Sequence, residues 1–296
     1  GRYLYVAKGS RSGSSGSYGM LTYEINSATG GLRLVQELEM DNSPKIVAVD
    51  PAGDFVAVTH FNDGITIFSI DSVGKIKRLK VHKTISIPNF KPEAITFDST
   101  GAYLFVAGDL LDENHNNYIP NQAVIHVYSK NTDFGEIDGS PFVTDSALKD
   151  NTRGIAVGPQ GSFLYVLNAS TAAVSYHSID AEGKLGSFQT YNNGYLATAF
   201  AINGNFLYLA NSSSSLAVDV YSINADGSLT GTGFSVSLDK TAEMLVVDPS
   251  GKFLYANEYM GSGIQVFSIN TDGSLIPGSR LYVGERVKAI VIVGKK

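Results

Sequence analysis

The sequence predicts an all-β chain: a six-bladed β-propeller of four-stranded antiparallel blades, with the first blade closed by the C-terminal strand. Three observations predict it. One phrase recurs six times at a spacing near fifty residues, each copy sits in the same order of strands and turns, and the chain opens and closes on complementary parts of one copy. All 296 residues are expected to form a single propeller domain.

The recurring phrase is a glycine followed by an aromatic-rich strand: Gly1–Val6 (GRYLYV), Gly53–Val58 (GDFVAV), Gly101–Val106 (GAYLFV), Gly161–Val166 (GSFLYV), Gly204–Leu209 (GNFLYL) and Gly251–Ala256 (GKFLYA). This is strand B. Most copies follow a short apolar strand A, as in Ile46–Val49, Ala94–Phe97, Gly154–Val157 and Met244–Val247. The two are joined by turns such as Asp50–Gly53 (DPAG) and Asp248–Gly251 (DPSG). The turn chemistry has a reason: Asp caps its own backbone, Pro presets the second φ, and Gly suits the last position.

Strand C alternates with period two, as in Ile65–Ile70 (ITIFSI), Val174–Ile179 (VSYHSI), Val218–Ile223 (VDVYSI) and Ile264–Ile269 (IQVFSI). Turns such as Asn224–Gly227 (NADG) and Asn270–Gly273 (NTDG) lead to a weaker, more polar strand D such as Ser228–Thr230. The chain begins at a strand B and closes with Lys288–Val293 (KAIVIV), which reads as the strand A that blade one lacks. Such closure removes the free edge of the ring.

Composition narrows the function classes. Apolar residues make up 43%, enough for a continuous core, and charged residues only 17%, so the surface is rich in Ser, Asn, Thr and Gly. A net charge of -6 without a basic run argues against a nucleic-acid partner. The absence of Cys excludes disulfides, thiolate zinc sites and a cysteine nucleophile. No apolar run is long enough to span a membrane, and residues 1–6 lack the shape of a signal peptide. The compartment stays open, with the Ser, Asn and Gly content favouring the exterior slightly, and a monomer is expected.

In an up-and-down blade the D-to-A and B-to-C connections emerge on one face, where chemistry can be gathered. The first residues of the six A strands are expected to ring the channel mouth there: Lys45, Glu93, Arg153, Thr198, Glu243 and Lys288. Converging charges of both signs suit cations that hold an anionic ligand beside a carboxylate acting as acid or base. The same ring also suits mutual neutralisation across a wet mouth. The B-to-C loops are expected to add Lys8, His60, Asp109, Asn168, Asn211, Asn257 and Glu258. His60 is a candidate base by its natural pKa, though no Ser or Asp partner is readable from spacing.

Two of these loops stand out. Residues 109–122 carry many oxygen donors of the kind calcium takes, but without the spacing and glycine of a calcium loop, so a lid or solvated loop is expected and no metal site is assigned. Residues 9–19 are Gly- and Ser-rich without the Gly-Lys-Ser end of a phosphate loop, and read as flexible.

The stretch 248–255 (DPSGKFLY), with 221–229 (YSINADGSL), resembles the YVTN-type propellers of the lactonase family, and the similarity spans the chain. That family includes 6-phosphogluconolactonase-like proteins and a fungal carboxymuconate-lactonising enzyme. The resemblance implies ring-ester chemistry on an anionic sugar acid or dicarboxylate at the channel mouth. It carries Arg153 onto the family's arginine at the start of a strand A, and Asn257 with Glu258 onto an Asn-Glu pair after strand B. The family's arginine is commonly followed by His, where this chain has Gly154, and the family's enzymes typically have seven blades, where six repeats are found here.

Two functions follow. In the first, a lactone hydrolase, Lys45, Arg153 and Lys288 hold the anion, and Glu93, Glu243 or Glu258 activates water. In the second, a non-catalytic propeller recognises a protein, a glycan or a small ligand through its rim loops.

Overall fold

A glycine-closed turn between two short apolar strands is the unit from which the molecule is assembled. In the computed structural model, Asp50 Oδ1 accepts the N–H groups of Asp54 and Phe55, both at 2.7 Å, and Gly53 closes the turn on the Asp50 carbonyl at 2.9 Å. Gly53 has φ +73°, in the left-handed region that a side chain disfavours. Asp248 and Gly251 repeat the device. The structure describes residues 3–8, 18–25, 32–40, 42–60, 64–78, 84–85, 89–112, 118–130, 135–136, 142–143, 152–168, 173–192, 194, 196–212, 216–258, 263–282 and 291–293.

Six antiparallel sheets result. Blade 1 holds β1 (Tyr3–Lys8), β2 (Tyr18–Ile25) and β3 (Leu32–Met40). Blade 2 holds β4 (Pro44–Val49), β5 (Phe55–His60), β6 (Ile65–Ile70) and β7 (Ile76–Arg78), with β8 (Thr84–Ile85) also on β6. Blade 3 holds β9 (Phe90–Phe97), β10 (Tyr103–Leu111), β11 (Tyr118–Ser129) and β12 (Gly135–Glu136), with β13 (Phe142–Val143) also on β11. Blade 4 runs β14 (Thr152–Val157), β15 (Phe163–Asn168), β16 (Ala173–Ile179) and β17 (Leu185–Asn192). Blade 5 runs β18 (Ala197–Asn203), β19 (Phe206–Asn211), β20 (Ala217–Ile223) and β21 (Leu229–Ser237). Blade 6 runs β22 (Ala242–Val247), β23 (Phe253–Glu258), β24 (Gly263–Ile269) and β25 (Leu275–Tyr282). The last strand, β26 (Val291–Val293), pairs antiparallel with β1, Tyr3 opposite Val293.

The inner strands β26, β4, β9, β14, β18 and β22 each lie beside the next, so they surround a central axis. The core is built between blades rather than within them. One cluster joins Tyr5, Ala7 and Met20 of blade 1 to Val56, Phe68 and Ile76 of blade 2, and equivalent clusters join blades 2 and 3, 3 and 4, 4 and 5, and 5 and 6.

On the face of the A-to-B and C-to-D turns the blades are also stitched together by ring against glycine. A Cβ added to Gly74, Gly183, Gly227 or Gly273 would stand 2.2–2.6 Å from the ring of Tyr3, Tyr103, Phe163 or Phe206 of the preceding blade. The buried hydroxyls of Tyr5 and Tyr165 donate to the carbonyls of Gly74 and Gly227 at 2.8 and 2.7 Å. The repeated glycine thus serves turn conformation and blade contact together.

Residues 109–122 depart from the expected loop. Strand β10 continues to Leu111 and β11 starts at Tyr118, with Leu111 opposite Tyr118, so the insert extends the hairpin. The β-forming Leu110, Leu111, Tyr118 and Ile119 carry the extension. Residues 113–117 and 9–17 lie outside the described residues. No described helix is long and apolar enough to cross a membrane.

Candidate active site at the channel mouth

One irregularity recurs at a single level of the ring. The A–B pairs of blades 2, 4, 5 and 6 break register near the mouth: between Pro44 and Val47 on β4, Thr152 and Gly154 on β14, Ala197 and Ala199 on β18, and Ala242 and Met244 on β22. In blade 3 the break falls between Ala107 and Gly108 of β10, opposite Ala94 and Pro92. The skipped residues include Lys45, Glu93, Arg153, Thr198 and Glu243. The expectation that these residues open the A strands is corrected here. They lie one to three positions inside and are the extra residues of β-bulges, which turn a side chain away from the regular alternation.

Local chemistry supports the bulges. The N–H of Ile46, displaced from the ladder, donates to Thr59 Oγ1 at 3.1 Å. In blade 3 the strands approach so closely that a Cβ on Gly108 would stand 2.1 Å from the Lys91 carbonyl oxygen. Only glycine fits there without a backbone shift.

Two bulges meet across the boundary of blades 2 and 3. Lys45 Nζ lies 2.6 Å from Glu93 Oε2 and donates to the Pro92 carbonyl at 3.0 Å, while Lys91 Nζ lies 2.8 Å from Glu93 Oε1. The Lys45 and Glu93 side chains are each 14% exposed. Burial holds the Lys45 pKa below the ordinary lysine value, and the Glu93 charge acts against that shift. Lys91 was missed in the sequence. It lies two residues before Glu93 on β9, across the bulge, and reaches the same carboxylate.

The other side of the ring differs. Arg153 is exposed and has no hydrogen bond or ion pair among the described residues. Thr198 and Glu243, in the next two blades, are half-buried. The side chains of Lys8, Glu258 and Lys288 lie outside the described residues, although the Glu258 backbone pairs with Ala242. Among the described residues the ring is electrostatically lopsided: a paired Lys–Glu–Lys group on blades 2 and 3, an exposed cation on blade 4 and a carboxylate on blade 6.

The residues expected on B-to-C loops are corrected more strongly. His60, Asp109, Asn168, Asn211 and Asn257 lie within B strands and are buried to 3% exposure or less. For His60 and Asn211 a partner comes from strand C, which the sequence did not single out. His60 Nε2 shares a 2.7 Å hydrogen bond with Thr66 Oγ1. Asn211 Nδ2 donates to Asp219 Oδ2 at 2.7 Å, and Ser235 Oγ donates to Asp219 Oδ1 at 2.7 Å. These groups form a polar floor beneath the mouth, with no exposed edge for a ligand. Burial lowers the His60 pKa, which keeps the ring neutral at physiological pH.

Gly154, where the family has His, packs against the next blade. A Cβ there would stand 2.8 Å from Phe200 Cε1, so the Phe200 ring occupies the space a side chain needs. Among the described residues no three His, Asp or Glu side chains group as a metal site.

Comparison with known proteins agrees with this architecture. The family model described as lactonase, 7-bladed β-propeller matches residues 1–89 and 190–286. The 6-phosphogluconolactonase of Formosa agariphila is 24% identical over 286 residues, spanning 88% of this chain and 76% of that protein. The periplasmic gluconolactonase of Pseudomonas aeruginosa superposes with a TM-score of 0.72 at 15% identity, over all of this chain and 86% of that one. A chain of a nidogen/laminin complex superposes with a TM-score of 0.66 at 14% identity, over 98% of this chain and 97% of that one. The blades outside the family match, 3 and 4, are those holding Glu93 and Arg153. With most of its length matched, the chain belongs to the lactonase family of seven-bladed β-propellers, and its own ring has six blades.

Proposed function

We propose that the protein hydrolyses the ring ester of an anionic sugar lactone at the channel mouth. The observation that carries the reading is the level of bulges, which directs Lys45, Glu93, Arg153, Thr198 and Glu243 out of the regular strand alternation at one end of the ring. The relatives named for 6-phosphogluconolactone and gluconolactone chemistry support the substrate class.

The roles follow from the surroundings of each group. Arg153, exposed and unpaired among the described residues, takes the substrate's phosphate or carboxylate, with Lys288 assigned to the same task from sequence alone. Glu93, bonded to two ammonium groups, serves to position Lys45, whose ammonium faces the charge that develops on the carbonyl oxygen. Glu243 accepts a proton as water attacks the lactone carbonyl. The bond from carbonyl carbon to ring oxygen then breaks, the ring oxygen takes a proton, and an open-chain hydroxy acid leaves. Glu258 shares the base assignment on the family resemblance.

The test is a pair of variants. Arg153→Ala is expected to raise KM for an anionic lactone at least tenfold with little change in kcat, and Glu243→Gln to lower kcat at least a hundredfold. Equal activity of both variants and wild type overturns the roles. Gly154 in the place of the family's His favours a second reading, a binding propeller for a protein, glycan or small ligand, and wild-type protein without turnover would establish that reading instead.

A further inference from the structure

The A-to-B turns offer an internal comparison. In blades 2 and 6, Asp Oδ1 accepts two successive backbone N–H groups: Asp54 and Phe55 on Asp50, both at 2.7 Å, and Lys252 and Phe253 on Asp248, at 2.9 and 2.8 Å. In blade 3, Asp98 Oδ1 accepts the Tyr103 N–H at 2.7 Å. Blade 4 keeps the turn but not the carboxylate. Gly158, Pro159, Gln160 and Gly161 repeat its backbone bonds, Gly158 N–H to Phe163 at 2.8 Å and Gly161 N–H to Gly158 at 3.0 Å. The N–H groups of Ser162 and Phe163, counterparts of the paired donors in blades 2 and 6, have no acceptor among the described residues.

A cavity of about 120 Å³ opens at this point, between Gly158, Gln160, Ser162 and Phe163 of blade 4 and Asn205 and Asn224 of blade 5. It is well above the roughly 10–15 Å³ that one water needs. We propose that this cavity is a binding site for a small carboxylate ligand, whose oxygen takes the place that Asp Oδ1 holds in blades 2 and 6. Two fixed backbone donors aimed at one oxygen make charge-assisted hydrogen bonds without reorganisation. The site lies on the turn face, at the opposite end of the blades from the channel mouth, and does not depend on the lactonase reading. Asp226, on the neighbouring turn and held by Ser228, carries a like charge, so binding is expected to be weak and to depend on ionic strength.

The test uses the full chain and sodium acetate, at constant ionic strength against chloride, followed by the backbone amide resonances of Ser162 and Phe163. Saturable downfield shifts centred on these two amides, with a rise in Tm, are expected. Gly158→Asp supplies an internal carboxylate and is expected to show both amides shifted without acetate, no response to it, and a higher Tm than wild type. Its turn copies Asp50–Gly53 and Asp248–Gly251 in Pro and Gly positions, and Gly158 is not among the positive-φ glycines, so the backbone admits Asp once the Tyr165 ring yields by a few tenths of an ångström. Gly158→Ala, whose methyl stands 3.1 Å from Tyr165 Cε2, covers the case in which the Asp variant fails to fold, and is expected to weaken the acetate response at least fivefold. The absence of a saturable shift in wild type, or an undiminished response in the variant, overturns the proposal.

Discussion

Glu93→Gln isolates the Lys45–Glu93–Lys91 group, because the amide keeps the size of the carboxylate and removes its charge. Two ammonium groups, at 2.6 and 2.8 Å, are then left without their shared counter-ion. Removing one partner of a fully buried pair costs about 3–5 kcal/mol. The Pro92 carbonyl still holds Lys45, and the side chains of Lys45 and Glu93 keep 14% exposure, so about 2–3 kcal/mol is expected. With an m-value of about 3 kcal/mol/M in urea, the unfolding midpoint falls by roughly 0.7–1 M. The double variant Lys45→Met with Glu93→Leu is expected to regain most of that loss, since an apolar pair of similar volume removes the desolvation penalty, while lactone turnover stays low. A midpoint shift below about 0.2 M for Glu93→Gln, or a double variant no more stable than the single, would refute the view of this group as a buried, mutually dependent pair.

Two further predictions follow from burial and close approach. The folded-state pKa values of His60 and His177 lie below the ordinary 6.5, so the unfolded chain binds these protons more readily. Stability measured as Tm should therefore fall as pH drops from about 6.5 toward the folded values, and His60→Gln should flatten that slope; an unchanged slope would contradict the burial argument. Gly108→Ala forces β9 and β10 apart where a Cβ meets the Lys91 carbonyl, and is expected to cost at least about 2 kcal/mol in urea unfolding and to raise KM for an anionic lactone. A neutral effect on both would mean that the bulge yields without strain.

The blade pattern was legible because its signals are local. The glycine before each aromatic strand, the Asp-Pro-x-Gly turns and the period-two C strands are all read within a few residues, and together they determine the strand order. The bulges were not legible in this way. A bulge is a property of two paired strands, and the residues around Lys45 or Arg153 carry no local mark of it. The burial of His60 and Asn211 was hidden for a related reason: each precedes a polar loop and reads as part of it, while the partners that enclose it, Thr66 and Asp219, lie on the next strand. Lys91 was hidden for the same reason as the bulges: it meets the Glu93 carboxylate across the bulge in β9, which no local pattern marks. The hairpin extension at Leu110 and Leu111 was obscured by the acidic and amide residues that follow it.

The central claim, turnover of a ring ester at the channel mouth, is tested most directly with purified wild-type protein. The measurement is hydrolysis of a panel of small lactones including 6-phosphogluconolactone, with and without calcium, corrected for spontaneous opening. The predicted result is saturable turnover that is fastest on the anionic lactones and lowered several-fold when Arg153→Ala is assayed at the same sub-saturating substrate concentration. Rates indistinguishable from spontaneous opening on every member of the panel would contradict it.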